Sequence, residues 1–279
     1  SQRKGIYPLP LPTGLGHEAV GIIESIGNVV EGFKVGERVA YMNAGLGAYA
    51  DYRNVQADKL VKVPDTVTDE QVAAFFFKGM TAQYLIKKTY KVKKDDIVLI
   101  HAAAGGVGQI LCQWCKALGA FVIGAASSDE KCELARQAGA DVVVNYMSDD
   151  WVKTVSEVTG GKKANVVYDS VGQDTFLKSL DCAAQFGMVV LFGAASGPAP
   201  AISPELLNKK GCLYLTRPSV FPHNAEVNIF RENAADVFDA ISQGYIKAVI
   251  GQKFSLSEVV EVHQLAETRK TKGATVILP

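Results

Sequence analysis

No apolar run in this 279-residue chain approaches the roughly 18 residues that a membrane-spanning helix needs, which excludes a helical membrane protein. An excess of either charge is missing too, since 29 Lys and Arg stand against 29 Asp and Glu. That balance argues against a general binder of nucleic acid or of other polyanions. Cysteine is scarce: Cys112, Cys115, Cys132, Cys182 and Cys212 are five in number, fall mostly in predicted helices or strands, and read as buried, reduced thiols. The early part of the chain lacks the C-x-x-C pair of a structural zinc lobe. Cys112 and Cys115 have that spacing, but on a predicted helix, where packing explains them. No signal peptide opens the sequence, so the cytoplasm is the expected location.

What is present is most telling between Asp96 and Gly108. The apolar run Ile97-Val98-Leu99-Ile100 leads through His101-Ala102-Ala103-Ala104 into Gly105-Gly106-Val107-Gly108 and then a helical pattern. A strand, a tight glycine corner and a helix are the parts of a pyrophosphate cradle. Backbone N–H groups must approach the phosphates, and the helix must lie close on the strand, where a Cβ would clash. Ala103 stands where the first glycine of G-x-G-x-x-G belongs, with Gly105 and Gly108 as the second and third.

The context supports that reading. Strands are predicted at 121–125, 142–145, 164–169, 188–193 and 212–215. Between them lie helical stretches, including Gln109 to Leu118, ended by Gly119, and one from near Asp129 to Gly139. Strands alternating with helices predict an α/β domain with a doubly wound parallel sheet. The plainer alternative is the same sheet with its turn used for another ligand or for none.

A second nucleotide signal stands at the end of the second strand, in Gly124-Ala125-Ala126-Ser127-Ser128-Asp129-Glu130-Lys131. NAD sites place an acidic residue there for the ribose hydroxyls. Ala126 occupies that place instead. Ser127 and Ser128 can donate to a 2′-phosphate and Lys131 can oppose its charge, so NADP fits better than NAD. The bland account of the same residues is a helix capping box of Ser127 and Glu130 with Lys131 as a solvated helix residue.

Before residue 80 the texture changes to short β-rich runs, 20–26, 38–42 and 49–55, broken by glycines, which predicts a small irregular β domain. Helical periodicity follows at 69–76 and 81–89. The tail carries amphipathic helices near 231–243 and 257–269 and a last strand at 274–278.

The residues quoted so far, together with Gly14-Leu15-Gly16-His17-Glu18-Ala19-Val20-Gly21, Val35-Gly36-Glu37-Arg38-Val39 and Lys78-Gly79-Met80-Thr81, resemble the medium-chain dehydrogenase/reductase superfamily. Asn145-Tyr146, Val167-Tyr168-Asp169-Ser170-Val171-Gly172, Ser179-Leu180-Asp181-Cys182 and Leu215-Thr216-Arg217-Pro218-Ser219 narrow the resemblance to the zinc-free, NADPH-dependent quinone oxidoreductases, the zeta-crystallin-like branch. It implies a Rossmann domain over 80–218 and a GroES-like catalytic domain from 1–79 and 219–279. Because members begin with further strands, the β domain is expected to be N-terminally incomplete.

The resemblance also implies roles. Thr81 and Tyr84 would lie at the nicotinamide end, as would Phe192, Gly193 and Ala194. Gly105, Gly106, Val107 and Gly108 would cradle the pyrophosphate, with Ser127, Ser128 and Lys131 at the 2′-phosphate, Tyr146 beside the adenosine half, and Arg217 as a further cofactor contact. Tyr41 and Tyr7 are candidate substrate-pocket aromatics. Zinc is not expected: His17-Glu18 looks like a ligand segment of alcohol dehydrogenases, but the place matching a later cysteine ligand reads Ala73-Ala74-Phe75-Phe76. The expected reaction is therefore hydride transfer from NADPH to a quinone. An enal or enone reductase is the alternative on the same fold, and a non-catalytic crystallin-like or RNA-binding protein the alternative of another class. A homodimer joined through the edge strand 212–215 is implied as well.

Overall fold

The computed structural model describes residues 9–147, 150–247, 250–267 and 273–279. The chain divides into two compact units, one formed by described residues within 1–77, 225–242 and 248–279, the other by those within 78–224 and 243–247.

The first unit begins with an antiparallel sheet of β1 (Glu18–Ile22), β2 (Arg38–Met42) and β3 (Leu60–Lys62), in that order. Val39, Tyr41 and Leu60 form its small apolar cluster, with Phe33 and Val55 against it. The run at 49–55, predicted as a strand, is a loop. Arg53 reaches out of it to the carbonyls of Ala44 and Leu46, tying it to the preceding segment rather than to a partner strand.

The helices predicted at 69–76 and 81–89 are one helix, α1 (Asp69–Tyr84), closed by a π-helical turn, Leu85–Thr89. Gly79 does not interrupt it, because a buried face that includes Phe76, Met80 and Ala82 outweighs the roughly 1 kcal/mol a mid-helix glycine costs.

The second unit holds a sheet of six parallel strands. They are β4 (Ile97–His101), β5 (Phe121–Ala126), β6 (Val142–Asn145), β7 (Ala164–Asp169), β8 (Ala183–Leu191) and β9 (Tyr214–Thr216). The helices between them are α2 (Gly106–Ala117), α3 (Asp129–Gln137), α4 (Trp151–Val158), α5 (Phe176–Cys182) and α6 (Pro204–Lys209). The spatial order β6-β5-β4-β7-β8-β9 reverses direction between β4 and β7, the doubly wound arrangement. Helices cover both faces, which is why the strands read as continuous apolar runs. Val98, Leu99 and Ile100 are fully buried, each contributing about 1.5–3 kcal/mol by area burial. The last strand begins two residues later than predicted, because Cys212 takes a positive φ of 55°.

The first unit resumes with α7 (Val227–Ser242), β10 (Ile250–Ser255), α8 (Val259–Glu267) and β11 (Ala274–Leu278), with β10 and β11 paired in parallel. Phe230 and Phe238 of α7 lie against Phe76, the latter stacked with ring centroids 5.5 Å apart.

Candidate dinucleotide site

The turn after β4 is built for close approach. Ala102 takes φ 50°, its carbonyl accepts from Gly105 N–H at 2.8 Å, and Ala103 N–H donates to Ala125 O at 3.0 Å, tying the corner to β5. Gly105 is the N-cap of α2 and carries no side-chain cap, so the first-turn amides of Gly106, Val107 and Gly108 face the approach to the helix without an intrahelical acceptor. A Cβ on Gly108 would stand 2.8 Å from Ala103 Cα and closer still to Ala102 O, which explains the third glycine. One on Gly106 would meet the Lys78 stem at 2.8 Å, so this cationic side chain runs beside the same turn. Nothing local in Lys78-Gly79-Met80-Thr81 announces that approach, which only the packing of α1 beside the turn brings about.

At the end of β5, Ala126 is buried and offers no carboxylate. Ser128, not Ser127, is the N-cap of α3: its Oγ accepts from Lys131 N–H at 3.4 Å. With Lys131 at the third helical position there is no capping box of Ser127 and Glu130. Ser127 is released from that duty, and its Oγ accepts from Lys131 Nζ at 3.2 Å. Asp129 turns to β6, where its carboxylate accepts from Asn145 Nδ2 at 2.8 Å. The next residue, Tyr146, is half-buried and bonds from its N–H to Ala126 O at 3.0 Å. Ser127, Ser128, Lys131 and Tyr146 are thus gathered around the ends of β5 and β6.

Past the switch point, Phe192, Gly193 and Ala194 follow β8. Phe192 N–H donates to Asp169 O at 2.9 Å, and a Cβ on Gly193 would lie 2.6 Å from Ser170 O. Thr81 and Tyr84 are buried at the end of α1. The Tyr84 ring stacks on His223 with centroids 4.7 Å apart. Burial pushes the Tyr84 hydroxyl up to about 12 against the opposing charge of Arg217. Nothing local in Phe221-Pro222-His223 announces the stack.

Tyr41 is buried in the apolar cluster of the first unit, and its hydroxyl accepts from Arg53 Nη1 at 3.3 Å. Tyr7 lies outside the described residues.

The chain matches the family model described as "Zinc-binding dehydrogenase" over residues 106–226 and the "Alcohol dehydrogenase GroES-like domain" over residues 1–65. It is 47% identical over 280 residues to a quinone oxidoreductase of Salmonella typhimurium, across 99% of this chain and 86% of that protein. It is 43% identical over 285 residues to a 2-haloacrylate reductase of a Burkholderia species, across 99% of this chain and 85% of that one. Among solved structures, the Escherichia coli quinone oxidoreductase complexed with NADPH superposes with a TM-score of 0.94 at 44% identity, covering 100% of this chain and 86% of that chain.

The residues present do not fit the zinc of the first description. Glu18, beside His17, accepts from Phe77 N–H at 2.8 Å. The sequence places no cysteine in the unit that carries His17. Among the described residues, no three His, Cys, Asp or Glu side chains are grouped to hold a metal ion. A dinucleotide does fit: the glycine turn is a cradle that a Cβ would fill, and a serine–lysine pair stands at the end of β5, where NAD sites hold a carboxylate.

Proposed function

The chain belongs to the quinone oxidoreductase family of the medium-chain dehydrogenase/reductase superfamily, and from that premise we propose that it reduces a quinone with NADPH and without a metal ion. The observation that carries the cofactor reading is the Ser127–Lys131 pair beside Ala126, a hydroxyl and an ammonium where an NAD site would hold a carboxylate. When bound, NADPH supplies the hydride from its nicotinamide ring to an acceptor that is already electron-poor.

The chain's own residues bind and orient. The Gly106, Val107 and Gly108 amides take the pyrophosphate, with Lys78 adding charge beside them. Ser127 and Lys131 take the 2′-phosphate by charge-assisted hydrogen bonds, with Ser128 holding the helix that carries Lys131. Tyr146 flanks the adenosine half. Thr81, Tyr84, Phe192, Gly193, Ala194 and Arg217 form the nicotinamide end, where contact distance and orientation supply most of the rate. Water can protonate the reduced oxygen, so no side-chain acid is required.

Two further readings accompany this one. A homodimer through β9 is supported by its place at the edge of the sheet and by two exposed aromatics, Tyr214 on it and Phe186 on β8. A cytoplasmic location is supported by five free cysteines, four of them buried.

The 2-haloacrylate reductase relative keeps reduction of an activated carbon–carbon double bond as the second reading. Parallel turnover of para-benzoquinone, 2-chloroacrylate and a simple enal decides between them. Faster turnover of the quinone supports the proposal, and turnover of the double-bond substrates alone replaces it.

A further inference from the structure

Asp169 ends β7 next to the switch point and is completely buried, as are His101 and Ser179, with Thr175 1% exposed. Its carboxylate accepts from the N–H groups of Val171 and Gly172 at 2.8 and 3.0 Å, from Thr175 Oγ1 at 2.8 Å and from Ser179 Oγ at 2.8 Å. Ser179 has one proton, and it goes to Asp169. The 3.0 Å contact between Ser179 Oγ and His101 Nε2 must therefore be donated by the ring. That bond puts a ring proton on Nε2, and burial, which disfavours a second one, leaves Nδ1 a bare acceptor. The result is a directed chain from His101 through Ser179 to Asp169, joining the ends of β4 and β7 with α5.

The loop that Asp169 holds is in turn joined to the loop after β8. Ala195 N–H donates to Ser170 O at 3.0 Å, Ser196 N–H to Val171 O at 2.9 Å and Gln173 N–H to Gly197 O at 3.1 Å. Ser196 Oγ adds a bond to Val171 O at 2.9 Å and accepts from Asp174 N–H at 3.1 Å. No side chain fits between the loops: a Cβ on Gly172, at φ 89°, would stand 2.5 Å from Gly197 O. The two loops form one shelf, and its most deeply anchored point is a carboxylate with every donor in place. A buried charge with a full set of donors fixes geometry, because each alternative arrangement leaves a donor or the charge without its partner.

We propose that Asp169, held by Ser179, Thr175 and His101, is a positioning residue that sets the Phe192–Ala194 segment against the nicotinamide ring. The proposal rests on the dinucleotide reading given above. Asp169 touches no cofactor. It acts through the shelf, so its loss affects the nicotinamide end and spares the adenosine end held by Ser127 and Lys131.

The test titrates two probes into the whole chain and into Ser179→Ala, Asp169→Asn and Ser196→Ala. NADPH carries the nicotinamide, and adenosine 2′,5′-bisphosphate carries only the adenosine end. Ser179→Ala and Asp169→Asn are expected to weaken NADPH roughly tenfold while the bisphosphate stays within about twofold, with a smaller loss of the same kind for Ser196→Ala. Equal weakening of both probes, or no weakening of NADPH, in folded variants overturns the proposal. Should Asp169→Asn fail to fold, Ser179→Ala and Ser196→Ala decide. A wild-type chain that binds NADPH but reduces no quinone overturns the proposed reaction and leaves this comparison intact, because both readouts are binding.

Discussion

Lys131 donates from its ammonium to Ser127 Oγ at 3.2 Å while its own backbone N–H is held by Ser128 Oγ at 3.4 Å, so one residue is both fixed by the helix cap and aimed at the neighbouring serine. Replacing Lys131 by Ala keeps the cap and removes the charge. The KM for NADPH should rise roughly 10- to 100-fold, as expected for a lost charge-assisted phosphate contact, with the KM for NADH nearly unchanged. Steady-state kinetics with both cofactors check this; equal effects on the two would remove Lys131 from the 2′-phosphate site.

Gly108→Ala drives a Cβ into the backbone of Ala102 and Ala103, where no flexible side chain can yield. A loss of about 2 kcal/mol or more in urea unfolding is expected, together with loss of NADPH binding as α2 is pushed off β4. Gly21→Ala meets nothing within 4 Å and serves as the contrast, with stability within about 0.5 kcal/mol of the parent.

Acid should destabilise the fold partly through His101. Burial lowers its pKa from the ordinary 6.5, so the unfolded chain takes up a proton that the folded chain resists. Stability from this group is full above pH 6.5, begins to fall below it, and goes on falling until the folded pKa is reached, at up to about 1.4 kcal/mol per pH unit. His223 adds a shift of the same sign, from burial and then from Lys88. Urea midpoints between pH 7 and 5 should fall less steeply in His101→Gln than in the parent; parallel slopes would contradict the assignment.

Tyr84 stays protonated at any working pH, since burial pushes its hydroxyl up to about 12. Removing that hydroxyl in Tyr84→Phe should leave the shape of the kcat–pH profile unchanged up to pH 10. An alkaline limb that disappears in the variant would show that Tyr84 titrates in the reaction.

The nucleotide unit was legible where local chemistry and tertiary need agree. Gly108 marks a turn whose backbone leaves no room for a Cβ, and Gly119 and Gly139, at φ 84° and 99°, stop their helices where the sequence places the stops. The sequence points to Ser127 as the cap of α3 through Glu130 three residues on, but Ser128 stands one residue closer to the helix and takes that place. The segment 49–55 has the composition of a strand, but no described strand pairs with it, and its Arg53 is tied to the carbonyls of Ala44 and Leu46 instead. The Asp169 network was the least visible, since His101, Asp169 and Ser179 meet only when β4, β7 and α5 are packed. Its one local trace is an aspartate followed by glycine three residues later, the pattern of a side chain that holds its own turn.

The most direct measurement is the rate of reduced-nicotinamide oxidation with para-benzoquinone as acceptor, with NADPH and NADH in parallel. The account predicts quinone-dependent oxidation with kcat/KM for NADPH at least about tenfold above NADH, the minimum for a charge-assisted phosphate site. Oxidation of neither cofactor, or a preference for NADH, would contradict it.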